Sequence, residues 1–127
     1  DFFEKHDVHI HVPEGAVPKD GPSAGVALTC ALMSAVTGIP ASSRFAMTGE
    51  ITLHGRALPI GGVKEKLLAA YRMGITEILL PAENEKDLEK IDGDILSRFT
   101  VHKIASVDEA LEAVLVRADD NGMRIAI

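Results

Sequence analysis

Cysteine is nearly absent. The chain has one, Cys30, inside an apolar stretch, so no disulfide framework can hold it and the thiol reads as a small buried residue. Basic clusters are absent too: 13 Lys and Arg stand against 19 Asp and Glu, giving a formal net charge of −6. That balance excludes the electrostatic footprint of a nucleic-acid binder. No apolar run reaches the roughly 20 residues a bilayer demands, and no segment reads as a signal peptide. The longest, residues 24–36, reads instead as a helix buried on most sides. Repeats, low-complexity tracts and Pro/Ser linkers are missing as well, which leaves one domain.

What remains is a chain of 127 residues, 46% hydrophobic, long enough for one real core. It opens on Asp1-Phe2-Phe3 without an initiating Met and reads as a piece of something longer. Residues 7–12 alternate polar and apolar, the period of a half-buried strand, and Pro13 stops them. After a loop, residues 23–37 read as the apolar helix, closed by Gly38. Residues 44–48 and 51–53 read as strands with a bulge or turn at Gly49-Glu50, and His54-Gly55 turns the chain into residues 56–58. A second glycine-rich corner, Pro59-Ile60-Gly61-Gly62, leads into a helix over residues 63–73.

Residues 75–80 then form a strand, 82–91 a charged exposed helix, 92–94 a turn and 99–104 a last strand. A capping-box pattern from Ser106 to Glu109 opens a helix running to about Arg117. The order β-α-β-β-α-β-α-β-α predicts an α/β (α+β) domain over residues 1–118, with helices on a mixed sheet and a tail at 119–127.

Ser23 is the residue that points to chemistry. It ends Pro18-Lys19-Asp20-Gly21-Pro22-Ser23-Ala24-Gly25, where two glycines and two prolines bracket a sharp bend into a helix. A hydroxyl at a helix N-terminus lies among free N–H groups that favour negative charge, as an attacking serine requires. The same position also suits a plain N-cap. A nucleophilic serine needs a proton acceptor, and the sequence offers His9, His11, His54, His102 and several lysines.

The helix after Gly62 carries two lysines. With 100° per residue, Val63, Leu67 and Ala70 define its buried stripe, and Lys66 falls on the flank of that stripe toward Met73. Lys64 points away from it. A lysine in water is protonated at neutral pH and a poor base, whereas loss of water favours the neutral amine. Lys66 is therefore the better candidate, although a lysine there can also snorkel to solvent.

Four segments are long and specific: His9-Ile10-His11-Val12-Pro13-Glu14-Gly15-Ala16, the run from Pro18 to Gly25, Met47-Thr48-Gly49-Glu50, and the run from Pro59 to Lys66. In this order they closely resemble the proteolytic domain of Lon, the ATP-dependent protease, over about residues 7–115. The resemblance implies a Ser-Lys dyad in which Ser23 is the nucleophile and Lys66 the general base. It implies that Thr48 hydrogen-bonds that lysine, and that His9, His11 and Asp20 lie near the site. Backbone N–H groups around Gly21, Pro22, Ser23 and Ala24 would hold the oxyanion.

The resemblance further implies a proteolytic domain truncated at its N-terminus. Its full-length parent would be a cytoplasmic homo-hexamer of bacterial type that degrades unfolded or damaged proteins. ATP and Mg would serve an AAA+ module outside this chain. No cofactor or metal is expected within it, since Lys19 precedes Gly21 while a phosphate loop needs Gly-Lys-Ser/Thr in that order. The isolated chain would have weak, ATP-independent peptidase activity at most.

Three other readings compete. A non-catalytic ring-assembly relative would typically lack the serine or the lysine, and both are here. A small-molecule kinase would use the glycine turn for phosphate, with Asp20 and Glu50 as weak metal-binding candidates, and would leave Lys66 unexplained. A metal hydrolase would need a third ligand beside His9 and His11, and none is evident.

Overall fold

The computed structural model describes residues 1–11, 21–118 and 124–126. Its centre is a three-stranded sheet in the order β1-β4-β5, made of β1 (Phe45–Met47), β4 (Glu77–Pro81) and β5 (Thr100–Ile104). Both pairings are parallel, with Met47 level with Leu79 and Leu79 with His102. The expected mixed sheet is thus corrected to a parallel one. Among the described residues, antiparallel pairing forms two ribbons, β2 (Glu50–Ile51) with β3 (Ala57–Leu58), and β6 (Val116–Ala118) with β7 (Arg124–Ala126), and two isolated bridges, Ala41 with Leu115 and Arg56 with Ser106. The α/β class stands.

Strand periodicity builds the layers. Leu79 points to one face, where it meets Val26 and Cys30 of α2 (Gly25–Thr37) and Ala110 and Val114 of α6 (Val107–Val114). Ile78 and Leu80 point to the other, against Val63, Leu67 and Ala70 of α3 (Val63–Arg72) and Leu88 of α4 (Glu85–Leu88). A strand covered on both faces reads as a continuous apolar run, which is how Ile78-Leu79-Leu80 reads.

Several expectations give way. Residues 7–11 form no strand, and Val12 lies outside the described residues. Alternation alone does not make a strand; a ladder partner does, and among the described residues none lies beside this segment. Val8 and Ile10 are accordingly 46% and 60% exposed. A one-turn helix, α1 (Phe2–Lys5), precedes them, tied by Lys5 Nζ to Asp1 Oδ2 at 2.8 Å.

The apolar helix is buried along one line only. Val26 and Cys30 are buried while Ala24, Leu28, Ala31 and Ala35 face outward, because α2 meets the sheet and α6 on one side and nothing described on the other. The predicted 82–91 helix breaks into a 3-10 turn (Ala82–Asn84) and the short α4, with Asn84, Leu88 and Ile91 buried rather than exposed. The predicted 92–94 turn caps another short helix, α5 (Gly93–Leu96), through Asp92 Oδ1, which accepts from Asp94 N at 2.9 Å. The last helix ends at Val114 rather than near Arg117, and part of the expected tail is β7, because β6 offers it an edge to pair with.

Candidate active site

Ser23 stands on the turn just before α2, which begins at Gly25 with Ala24 at the cap position. Among the described residues no side chain caps that helix, and Ala24 rather than Ser23 holds the cap position. The turn is fastened to the end of β1 by backbone. The Ser23 carbonyl accepts from Gly49 N at 2.9 Å, and Val26 N donates to the Gly49 carbonyl at 3.0 Å. Thr48 Oγ1 adds a third bond, donating to the same Ser23 carbonyl at 3.3 Å.

That docking needs a residue without a side chain at 49. Gly49 has φ +155°, and a Cβ there would lie 2.6 Å from Val26 Cγ2 and 3.2 Å from Pro81 Cγ. Gly25 serves the same closeness, since its Cβ would lie 3.2 Å from both Ile51 Cγ1 and Ile51 N.

Of the stretch proposed for oxyanion binding, Pro22 has no N–H to give. Gly25 N is engaged by the Pro22 carbonyl at 3.1 Å. The N–H groups of Ser23 and Ala24 make no hydrogen bond among the described residues. They are the available donors at this helix start.

Lys66 reaches the same place from α3. Val63, Leu67 and Ala70 are the buried residues of that helix, as the wheel requires, while Lys64 is exposed and Lys66 half-buried. Ser23, Thr48 and Lys66 line one cleft of about 360 Å³, walled by small and apolar side chains including Ala27, Ala46 and Leu67. Lys66 Nζ donates to the Gly61 carbonyl at 3.3 Å. Among the described residues no hydrogen bond joins it to Ser23 or Thr48. Thr48 Oγ1 donates instead to the Ser23 carbonyl, so the expected Thr48–Lys66 bond is not formed among the described residues.

His9 and His11 are exposed and do not line the cleft, and Asp20 lies outside the described residues. Among the described residues no group of three His, Cys, Asp or Glu side chains gathers as a metal site. No described helix is long and apolar enough to cross a membrane.

Ser23, just before α2, and Lys66, in the first turn of α3, thus line one apolar cleft. The model of the Lon protease (S16) C-terminal proteolytic domain matches residues 1–117. The chain belongs to that family. Proteins named Lon protease are similar to it at 61% identity over 116 residues in Bacillus thuringiensis (strain Al Hakam), and at 56% over 115 residues in Buchnera aphidicola subsp. Acyrthosiphon pisum (strain APS). Both alignments cover 91% of the chain. The one from Escherichia coli (strain K12) is 52% identical over 125 residues, 98% of the chain. The chain spans only 15–16% of the length of these relatives.

One residue that positions α3 escaped the sequence reading. Asn84, 1% exposed, accepts from Ile60 N at 3.0 Å and donates to the Ile60 carbonyl at 2.8 Å. It thereby clamps the corner that leads into α3. The same amide donates to Asp87 Oδ2 at 2.8 Å, and this bond holds the Asp87 carboxyl below the usual carboxylate range, with Lys90 adding to the effect. The only local signal was an uncharged amide amid a charged run, Glu83 to Lys90.

Proposed function

We propose that this chain is the peptide-hydrolysing module of a Lon-type protease, with Ser23 as nucleophile and Lys66 as general base. The observation that carries the reading is the shared cleft: the Ser23 turn and the half-buried Lys66 line one apolar trough. At the serine end, the N–H groups of Ser23 and Ala24 make no hydrogen bond among the described residues.

In this mechanism a neutral Lys66 amine takes the Ser23 Oγ proton as Oγ bonds to the peptide carbonyl carbon. Charge moves onto the carbonyl oxygen, where the N–H groups of Ser23 and Ala24 stabilise it. The Lys66 ammonium returns its proton to the departing amine as the C–N bond breaks. Water, deprotonated by the same amine, then releases the acyl group from Ser23. Before the first step, Lys66 Nζ must leave the Gly61 carbonyl for Ser23 Oγ.

We infer further that the substrates are unfolded or damaged proteins delivered by an ATP-hydrolysing module outside this chain. The working assembly is a homo-hexamer in the bacterial cytoplasm. The names of the relatives support the protease reading, and the chain's small share of their length leaves room for the ATPase.

A fluorophosphonate probe tests the nucleophile. Labelling of the chain is expected to vanish in Ser23→Ala, and peptide hydrolysis to fall by more than about 10³-fold. Undiminished labelling in that variant would refute the assignment.

A further inference from the structure

Among the described residues, the Lys66 amine has one hydrogen-bond partner, the Gly61 carbonyl at 3.3 Å. A lysine stem reaches water easily, so that carbonyl decides whether the amine stays in the cleft. Little near Gly61 holds the carbonyl itself. A Cβ at Gly61 would meet no described atom within 4 Å, and Gly62 beside it is left-handed at φ +69°. Among the described residues no side chain caps α3.

The support comes from one residue earlier. A primary amide has two N–H donors and one carbonyl, and the Asn84 amide uses all three. Its Oδ1 takes the Ile60 N–H, one Nδ2 hydrogen serves the Ile60 carbonyl, and the other serves Asp87 Oδ2. Turned over, the amide would set donor against donor at Ile60 N. In a side chain only 1% exposed, an N–H without an acceptor is costly, so Asp87 completes the arrangement. Asp87 is itself fixed close by, since Leu88 next to it shares a core cluster with Val63 and Leu67 of α3.

We propose that Asn84 and Asp87 are positioning residues for the proton transfer. Asp87 sets the Asn84 amide, the amide sets the Ile60–Gly61 peptide, and the Gly61 carbonyl keeps the Lys66 amine in the cleft it shares with Ser23. This inference rests on the assignment of Lys66 as general base.

The test follows the rate constant of Ser23 acylation by one fluorophosphonate, which reports on the folded chain whatever its amount. Asn84→Ala and Asp87→Ala are each expected to acylate about tenfold more slowly than the parent. Asp87→Asn, whose side-chain carbonyl can still accept the Asn84 N–H, should stay within about twofold of the parent. The deciding measurement repeats Asp87→Ala in a Lys66→Ala background. There it should change the remaining rate by less than about twofold, because no amine is left to place. An equal loss in both backgrounds would mean general damage to the site and overturn the inference. Parent-like rates in both Asn84→Ala and Asp87→Ala overturn it as well, and leave the base assignment standing. A Lys66→Ala chain that acylates at the parent rate overturns the base assignment, and this inference with it.

Discussion

Ser23 and Lys66 follow two glycine-rich corners, and the corners are held in different ways. The serine corner is fixed by main chain: Gly49 gives one hydrogen bond and takes another, and the threonine before it adds a third. The lysine corner is fixed by one buried side chain, Asn84, which satisfies both backbone groups of Ile60. Beyond that corner the amine still hangs on a flexible stem. The structure thus ties the turn of the proposed nucleophile directly to the end of β1, while the proposed base sits on a long side chain bonded to the Gly61 carbonyl. Steric errors should damage the first corner, and orphaned polar groups the second.

Gly49→Ala breaks the serine corner most severely. Its methyl must displace Val26 or Pro81, so a stability loss of about 1–3 kcal/mol is expected in urea titration. Peptidase activity should fall about 100-fold even where the protein remains folded, since a small displacement of a reacting group is that costly. Retention of full activity would show that the serine turn does not depend on this docking.

Asn84→Leu attacks the other corner. It strands the N–H and carbonyl of Ile60 in the interior, at a cost of about 1–3 kcal/mol by the same titration. Serine labelling should fall less than in Gly49→Ala, because the nucleophile's own turn is untouched. The reverse order would erase the distinction between the corners. Thr48→Val is the mildest of the three. It removes a single 3.3 Å bond to a carbonyl that keeps its Gly49 partner, and about 1 kcal/mol or less is expected.

The same contrast explains what could be read beforehand. Lys66 was separable from Lys64 because a helix imposes its period on every residue, and the buried set Val63, Leu67 and Ala70 follows from that period alone. The strand around Ile78 and the caps at Gly38 and Ser106 were legible for the same local reason. The Ser106 capping box formed only in part: Ser106 Oγ accepts from Glu109 N at 3.4 Å, while the Glu109 carboxylate turns to Ala105 N at 2.6 Å.

Features that depend on distant partners were not legible. Asn84 acts on a corner 24 residues earlier, and no local pattern signals that distance. Thr48 was assigned to the lysine although its nearer acceptor is the serine carbonyl. Residues 7–11 have the alternation of a strand without a neighbour to complete it. Local period predicts an element; only the fold decides what covers it.

The central claim, that Lys66 removes the Ser23 proton, is tested most directly by the acylation rate of Ser23 in matched lysine variants. With a chromogenic ester or fluorophosphonate at neutral pH, Lys66→Ala should acylate about 10²- to 10⁴-fold more slowly than the parent chain. Lys64→Ala, altered on the exposed face of the same helix, should stay within about twofold. Parent-like acylation in Lys66→Ala, or a dead Lys64→Ala beside it, would contradict the account.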